Sequence, residues 1–326
     1  MGSIIEREDG YLILDNCKRQ LANKEKRRYW VYIDGVEYYF KPSDSEDCGY
    51  NELIAYYAAK LLEIDCCFYD LASLNGVYGV ISKSLRHPDQ NLIAAETILD
   101  DYIINTTDII EDMLTAAMNY YYDDDTRKEM VARNMKDITA DDVNNLAVIE
   151  KALEFRYAHK YGFEEIQKLM DQIIRMFIFT ILLKDYDKHS GNYMFIEGRD
   201  TINLAPLLDN GLIFHSVKTI SLSTSFRDRD SDSITALKNF LVIYSNDYLC
   251  LLQEMLKKLN DNFDKLISQV EDQIKQELPH SYKNRLRENF KRNSKRIEDA
   301  IEKYTQKRKV TGVYKPKKKV RYKKIG

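Results

Sequence analysis

The sequence predicts an α+β fold in two lobes, a small β-rich N-lobe and a larger helical C-lobe. Three observations predict it. β-rich runs separated by glycine-containing turns fill about the first 90 residues, and helical periodicity dominates from about His87 onward. A tight polar loop then follows the most apolar helix directly. The 326 residues suffice for one large domain or for two lobes around a cleft. Tyr is abundant (24) while Gly (12) and Pro (5) are scarce, which favours ordered, helix-rich structure. The expected division is 1–88 for the N-lobe, 89–306 for the C-lobe and 307–326 for a basic tail.

Tyr29–Tyr32 and Val36–Phe40 read as strands joined at Ile33-Asp34-Gly35, a hairpin signal. Tyr50–Leu62 carries apolar residues at helical spacing. Phe68–Leu74 and Val77–Ser82 form a second strand pair around Asn75-Gly76. Asn91–Tyr122 then reads as mostly amphipathic helix. Thr139, with Asp142 three residues on, is the expected cap of a helix ending at Gly162. Phe163–Leu183 is the most apolar helix, and a short hairpin, Tyr193–Ile196 with Ile202–Ala205, leads towards Asp209. Ser216–Ser233 reads as a polar loop, and four further helices are expected at Ile234–Tyr244, Tyr248–Leu259, Phe263–Glu277 and Tyr282–Tyr304.

Charge is unevenly placed. Ten Lys or Arg and no acid lie between Lys307 and Lys324, so a net charge of −3 leaves about −13 on the rest. Such a tail can contact nucleic acid or an acidic partner, or simply be solvated. Five cysteines, an odd number without metal-ligand spacing, read as reduced thiols of a cytoplasmic protein. No secretory leader is visible at Met1–Arg7, and the apolar run Ile173–Leu183 contains Arg175 and is too short to span a membrane.

The chemistry-bearing stretch is Asp187-Lys188-His189-Ser190-Gly191-Asn192, followed about twenty residues later by Asp209-Asn210-Gly211. An Asp and an Asn five residues apart, then an Asp-x-Gly, is the arrangement phosphotransferases use: one carboxylate at the acceptor hydroxyl and two oxygen ligands for Mg²⁺ on ATP. Asp187 is expected to orient or deprotonate the acceptor, and Asn192 and Asp209 to hold Mg²⁺. Lys188 could offset phosphate charge, and His189 could brace the loop. Asp185 is a rival carboxylate, seven residues before Asn192. Each of these residues also fits an ordinary polar turn. Lys41, at a strand end, and Glu52, on the next helix, are the candidate ATP lysine and its partner. Ile81, Ser82 and Lys83 fall where a hinge would offer its backbone to adenine. No GxGxxG or GxxxxGK[ST] occurs, and Asn16–Arg28, where a phosphate-covering loop belongs, has no glycine and six Lys or Arg. Basic side chains there could replace backbone amides.

On these residues the chain resembles the HipA-like kinases. The Asp187–Asn192 loop looks like that family's Asp-Arg-His-x-x-Asn, which phosphatidylinositol 3/4-kinases share, with Lys188 in place of Arg. Pro206–Gly211 looks like its metal-aspartate segment. The resemblance covers roughly residues 29–215. It implies a bilobal protein-kinase-like fold, Mg-ATP and transfer of the γ-phosphoryl group to Ser or Thr of a protein. Family members include toxins of toxin–antitoxin pairs, so an antitoxin-like or nucleic-acid partner for the tail is an expectation of the same kind. Ser221, Ser223, Thr224, Ser225, Ser231 and Ser233 lie where an activation segment belongs and are candidate autophosphorylation sites. The same loop also serves small-molecule and lipid-head-group kinases, and an inactive nucleotide-binding module is the reading from another class.

Overall fold

Two-residue turns start the architecture. Asp34-Gly35 and Asn75-Gly76 all have positive φ (48°, 81°, 52° and 72°), the conformation that lets a hairpin keep the right-handed twist of its strands. The first joins β4 (Arg28–Ile33) to β5 (Val36–Pro42), the second β6 (Tyr69–Leu74) to β7 (Val77–Lys83). With β1 (Arg7–Glu8), β2 (Tyr11–Ile13) and β3 (Lys18–Asn23) they form a seven-stranded sheet, order β1-β2-β6-β7-β5-β4-β3. Only β2 and β6 pair in parallel. The computed structural model describes residues 5–118, 123–136, 138–214, 221–224 and 232–311.

Helix α1 (Glu46–Leu61), capped by Ser45, packs on β6 and β7. It starts four residues before the expected Tyr50 because the Ser45 side chain accepts the Cys48 amide. β8 (Asn91–Ala94) was expected to be helical. Instead it pairs with β9 (Met194–Glu197), which pairs with β10 (Ile202–Leu204), giving a second, three-stranded sheet. The helical part then runs α2 (Ala95–Asn105), α3 (Thr107–Met118), α4 (Asp124–Lys136), α5 (Leu146–Tyr161) and α6 (Phe163–Leu183). Thr139 does not cap α5. Its amide and hydroxyl both donate to Asp142 (2.8 Å each) and close a turn, while Asn145 caps the helix through the Val148 amide. α6 has the expected bounds, and 13 of its residues are buried.

The expected helices from Ile234 to Glu277 are one, α7 (Ser233–Ile274), 42 residues long. The polar triplets Ser245-Asn246-Asp247 and Asn260-Asp261-Asn262 include neither Gly nor Pro and lower propensity without breaking the helix. The buried stripe Leu252, Leu256, Leu259, Phe263, Leu266, Val270, Ile274 runs uninterrupted past the second triplet. α8 (His280–Thr311) returns along α7. No helix among the described residues is long and apolar enough to cross a membrane.

Candidate active site

The loop after α6 is held by buried polar groups on both sides. α6 ends at Lys184 in the left-handed conformation, and the carbonyls of Ile181 and Leu182 accept from the buried Asn293 of α8 (3.0 and 2.9 Å). A short 3₁₀ turn, Ser190–Asn192, follows. Its amides are satisfied locally: His189 Nδ1 accepts from the Gly191 amide (3.1 Å), and Asp141 accepts from the Ser190 amide and hydroxyl (2.8 and 2.6 Å). His189 therefore braces the loop. Asn144 ties it to the segment beyond, donating to the carbonyls of Lys188 (2.9 Å) and Ser221 (2.7 Å) while accepting from the Tyr193 hydroxyl (2.7 Å).

Within this frame Asn192 Nδ2 donates to the Asp187 carbonyl (2.8 Å) and to its Oδ2 (3.1 Å). The amide is thereby oriented, and the Asn192 side-chain oxygen accepts no hydrogen bond among the described residues. Burial raises the Asp187 pKa above the ordinary carboxylate range, and the nearby Asp209 charge adds to that.

Lys188 differs from expectation. It is fully buried, and its ammonium donates to the carbonyls of Leu208 (2.8 Å) and Asp209 (3.1 Å) and faces Asp185 at 3.1 Å. A buried ammonium needs such partners to offset its lost hydration, so it joins the two loops rather than reaching a phosphate. Asp185, the rival carboxylate, is equally buried and is committed to Lys188 and to the Asp187 amide (3.2 Å).

The second loop is docked on α1 and on the segment after it. Asp209 sits at φ 55°, and its amide donates to the buried Tyr69 hydroxyl (2.9 Å). The Asn210 amide donates to Glu52 Oε2 (2.7 Å), and Asn51 Nδ2 donates to the Gly211 carbonyl (2.8 Å). Asn51 in turn accepts from the Tyr282 hydroxyl of α8 (2.8 Å). A Cβ on Gly211 would come within 3.3 Å of the Cys48 carbonyl and 3.4 Å of Glu52, a tight fit that α1 or the loop would have to ease by a few tenths of an ångström. Leu207 bonds to both Asp65 and Cys67 through its backbone (2.8 Å each). Burial pushes the Cys67 thiol up to about 12, so it stays protonated.

Lys41 on β5 bonds Asp209 and stands 3.6 Å from Glu52 Oε1. That oxygen is buried without a hydrogen-bond partner. Burial pushes the Glu52 carboxyl up to about 7, against the opposing pull of Lys41. Burial also acts to raise Asp209, but the Lys41 charge and hydrogen bond hold it below the usual carboxylate range. Lys41 sits above the ordinary lysine range: burial opposes its charge, and Glu52 and Asp209 more than offset this.

Of these groups Lys41, Asp209 and Asn192 line a cleft of about 570 Å³, and neither Glu52 nor Asp187 is among its lining residues. Arg28, Trp30, Tyr39 and Lys41 line it from the sheet, and Asn192, Met194, Leu208 and Asp209 from the other side. Trp30 and Tyr39 were not singled out by sequence, and Arg28 only as the end of the basic segment Asn16–Arg28; strand alternation with Lys41 is the signal that could have found Tyr39. The hinge expectation shifts. Ile81 and Ser82 pair with both β5 and β6, so their backbone is committed to ladders, and Lys83 still pairs with Tyr38. The next residues, Ser84–Arg86, continue along the cleft, with the Ser84 amide taken by Glu37 (3.0 Å). The expected phosphate-covering loop is largely a strand: β3 and its turn into β4 span most of Asn16–Arg28.

Two of the candidate autophosphorylation hydroxyls are bonded inside the protein and a third is buried. Ser221 donates to the Tyr186 carbonyl, Thr224 to the Ala236 carbonyl (3.1 Å), and Ser233 is fully buried at the start of α7. Ser223 is buried too, with its amide bonded to the Asn144 carbonyl (3.1 Å). Ser225, Ser231 and residues 312–326 of the basic tail lie outside the described residues.

The residues fit a magnesium nucleotide in kind. One carboxylate and one free amide oxygen face a cleft that also holds cations, and Mg²⁺ takes few protein oxygens when phosphates and water complete its shell. Among the described residues no group of three or more His, Cys, Asp or Glu forms a ready-made metal cage.

No family model and no curated protein matches this chain. Solved structures do. The Helicobacter pylori proinflammatory kinase CtkA superposes with a TM-score of 0.60 at 14% identity, covering 91% of this chain and 99% of that one. HipA of the Shewanella oneidensis MR-1 toxin–antitoxin system, solved with HipB and its operator DNA, gives 0.53 at 13% identity, covering 95% of this chain and 70% of that one. The structural neighbours are thus HipA and CtkA kinases, and the expected α+β, kinase-like fold is the observed one.

Proposed function

We propose that this protein is an ATP-dependent phosphotransferase that moves the γ-phosphoryl group to a Ser or Thr hydroxyl of a protein. One observation carries the reading. Lys41 and Asp209, 168 residues apart, meet at a single cleft, with Glu52 beside Lys41 and Asn192 across from it. A polar turn of ordinary structural origin has no reason to be met there by a strand lysine and a buried helix glutamate.

Bound Mg²⁺ supplies neutralisation of charge on the transferring phosphoryl group. Asp209 and the Asn192 side-chain oxygen are the ligands this chain offers it. Asp187 Oδ1, which accepts no hydrogen bond among the described residues while Oδ2 accepts from Asn192, takes the proton of the acceptor hydroxyl. The raised Asp187 pKa suits a proton acceptor. Lys41 orients the α- and β-phosphates and is itself positioned by Glu52. Kinship of fold with CtkA and HipA supports a kinase-type activity; HipA was solved with HipB and DNA, and a partner for the basic tail 307–326 is an extension of the same reading.

The test is incubation of the purified protein with γ-labelled ATP and Mg²⁺ beside Asp187→Ala, followed by phosphoamino-acid analysis. Label on Ser or Thr in the wild type alone is expected. ATP bound without transfer to protein would turn the reading to a small-molecule acceptor. In Asp209→Ala, nucleotide affinity is expected to lose its Mg²⁺ dependence.

A further inference from the structure

We propose that Arg28 and Lys41 form a two-cation clasp for the polyphosphate of the nucleotide, replacing the backbone amides of a glycine-rich loop. The proposal rests on the nucleotide reading above and names a binding residue within it.

The strand register places the two cations together. β4 and β5 pair Trp30 with Tyr39 and Tyr29 with Phe40. The same register continued one residue past its last pair brings Arg28 level with Lys41. Alternation then puts Arg28, Trp30, Tyr39 and Lys41 on one face, and all four line the cleft, while Phe40 turns to the opposite core with Tyr29 packed against it.

Like charges directly opposite on paired strands repel. Lys41 has Asp209 and Glu52 to offset that. The Arg28 side chain makes no hydrogen bond or ion pair among the described residues, although it is partly buried beside the cleft. An anion between the two strands would relieve this arrangement.

The hairpin offers no glycine-built amide cradle for phosphate. Amide cradles use glycine because successive N–H groups must turn towards the ligand. From Tyr11 to Asp34 there is no glycine. The β3–β4 turn is closed instead by Asn23, whose side chain accepts from the Lys26 amide (2.9 Å), with Arg27 at φ 48°. A planar guanidinium binds phosphate through two parallel hydrogen bonds, and the lysine beside it acts as a compact charge.

Trp30 provides the test, because it is the only tryptophan and lies two residues from Arg28. Its emission is titrated with Mg-ATP, Mg-ADP and adenosine, and the affinities are checked by calorimetry. Arg28→Gln is expected to weaken Mg-ATP by about 10- to 100-fold, the range for hydrogen bonds to charged groups. Adenosine affinity is expected to stay within about twofold, and Arg28→Lys to recover part of the loss. Unchanged Mg-ATP affinity in Arg28→Gln, or an equal loss for adenosine, overturns the clasp while leaving the nucleotide reading intact. Failure of the wild type to bind both ATP and adenosine overturns both.

Discussion

The two lysines nearest Asp209 show how differently the two sides of the cleft are built. Lys41, on the sheet side, is about a quarter exposed, lies near two carboxylates and faces the cleft beside Arg28, whose side chain has no ion pair among the described residues. Lys188, on the loop side, is fully buried and has carbonyl and carboxylate partners of its own. The sheet side therefore carries charge that a ligand can use, and the loop side carries charge already consumed in holding two loops together. Identical side chains at similar range from one aspartate thus have opposite roles, set by burial and by the partners each has left free.

Substitutions on each side can break this contrast. The largest effect is expected for Asp187→Ala. Transfer should fall by about 10²–10⁴-fold, the usual contribution of a positioned base, with little change in melting temperature. Activity at the wild-type level would remove Asp187 from the chemistry. Lys188→Met should act on stability instead, costing about 3–5 kcal/mol in denaturant unfolding because Asp185 is left buried and uncompensated. Adding Asp185→Leu should recover much of that loss, and a double variant no better than the single would contradict the pairing. Asn144→Ala should cost about 1–3 kcal/mol, since it strands the carbonyls of Lys188 and Ser221, and should lower transfer through a loosened loop.

The smallest effect concerns pH. Glu52 titrates at about 7 in the fold against 4.5 ordinarily, so between these values the folded state keeps a proton that the unfolded chain has lost. Its contribution to stability therefore falls as pH rises through that window. In metal-free protein, Glu52→Gln should lose less stability than the wild type between pH 5 and pH 8, measured by denaturant unfolding. Parallel losses would place the Glu52 titration elsewhere.

Local chemistry was readable in the sequence wherever one residue type decides the outcome. Gly35 and Gly76 marked the hairpins, Gly162 marked both the end of α5 and the start of α6, and the Asp187–Asn192 spacing marked the loop. What was not readable depends on partners far along the chain. β8 looked helical because its strand partner, β9, lies about a hundred residues on. Lys188 looked available for phosphate because nothing local shows that Leu208 and Asp209 will surround it. Asn144, Asn293 and Tyr282 carry no motif at all, and their roles exist only once distant backbone carbonyls or side chains reach them.

The link from Tyr282 through Asn51 to the Gly211 carbonyl spans 231 residues of sequence. At synthesis speeds of ~5–20 residues per second, roughly 12–46 s separate the emergence of Asn51 from that of Tyr282. For the last 73 residues of that interval, from Asp209 to Tyr282, the nascent chain holds every carboxylate and lysine of the cleft without the helix that braces them. The site is finished last, by a residue that takes no part in its chemistry.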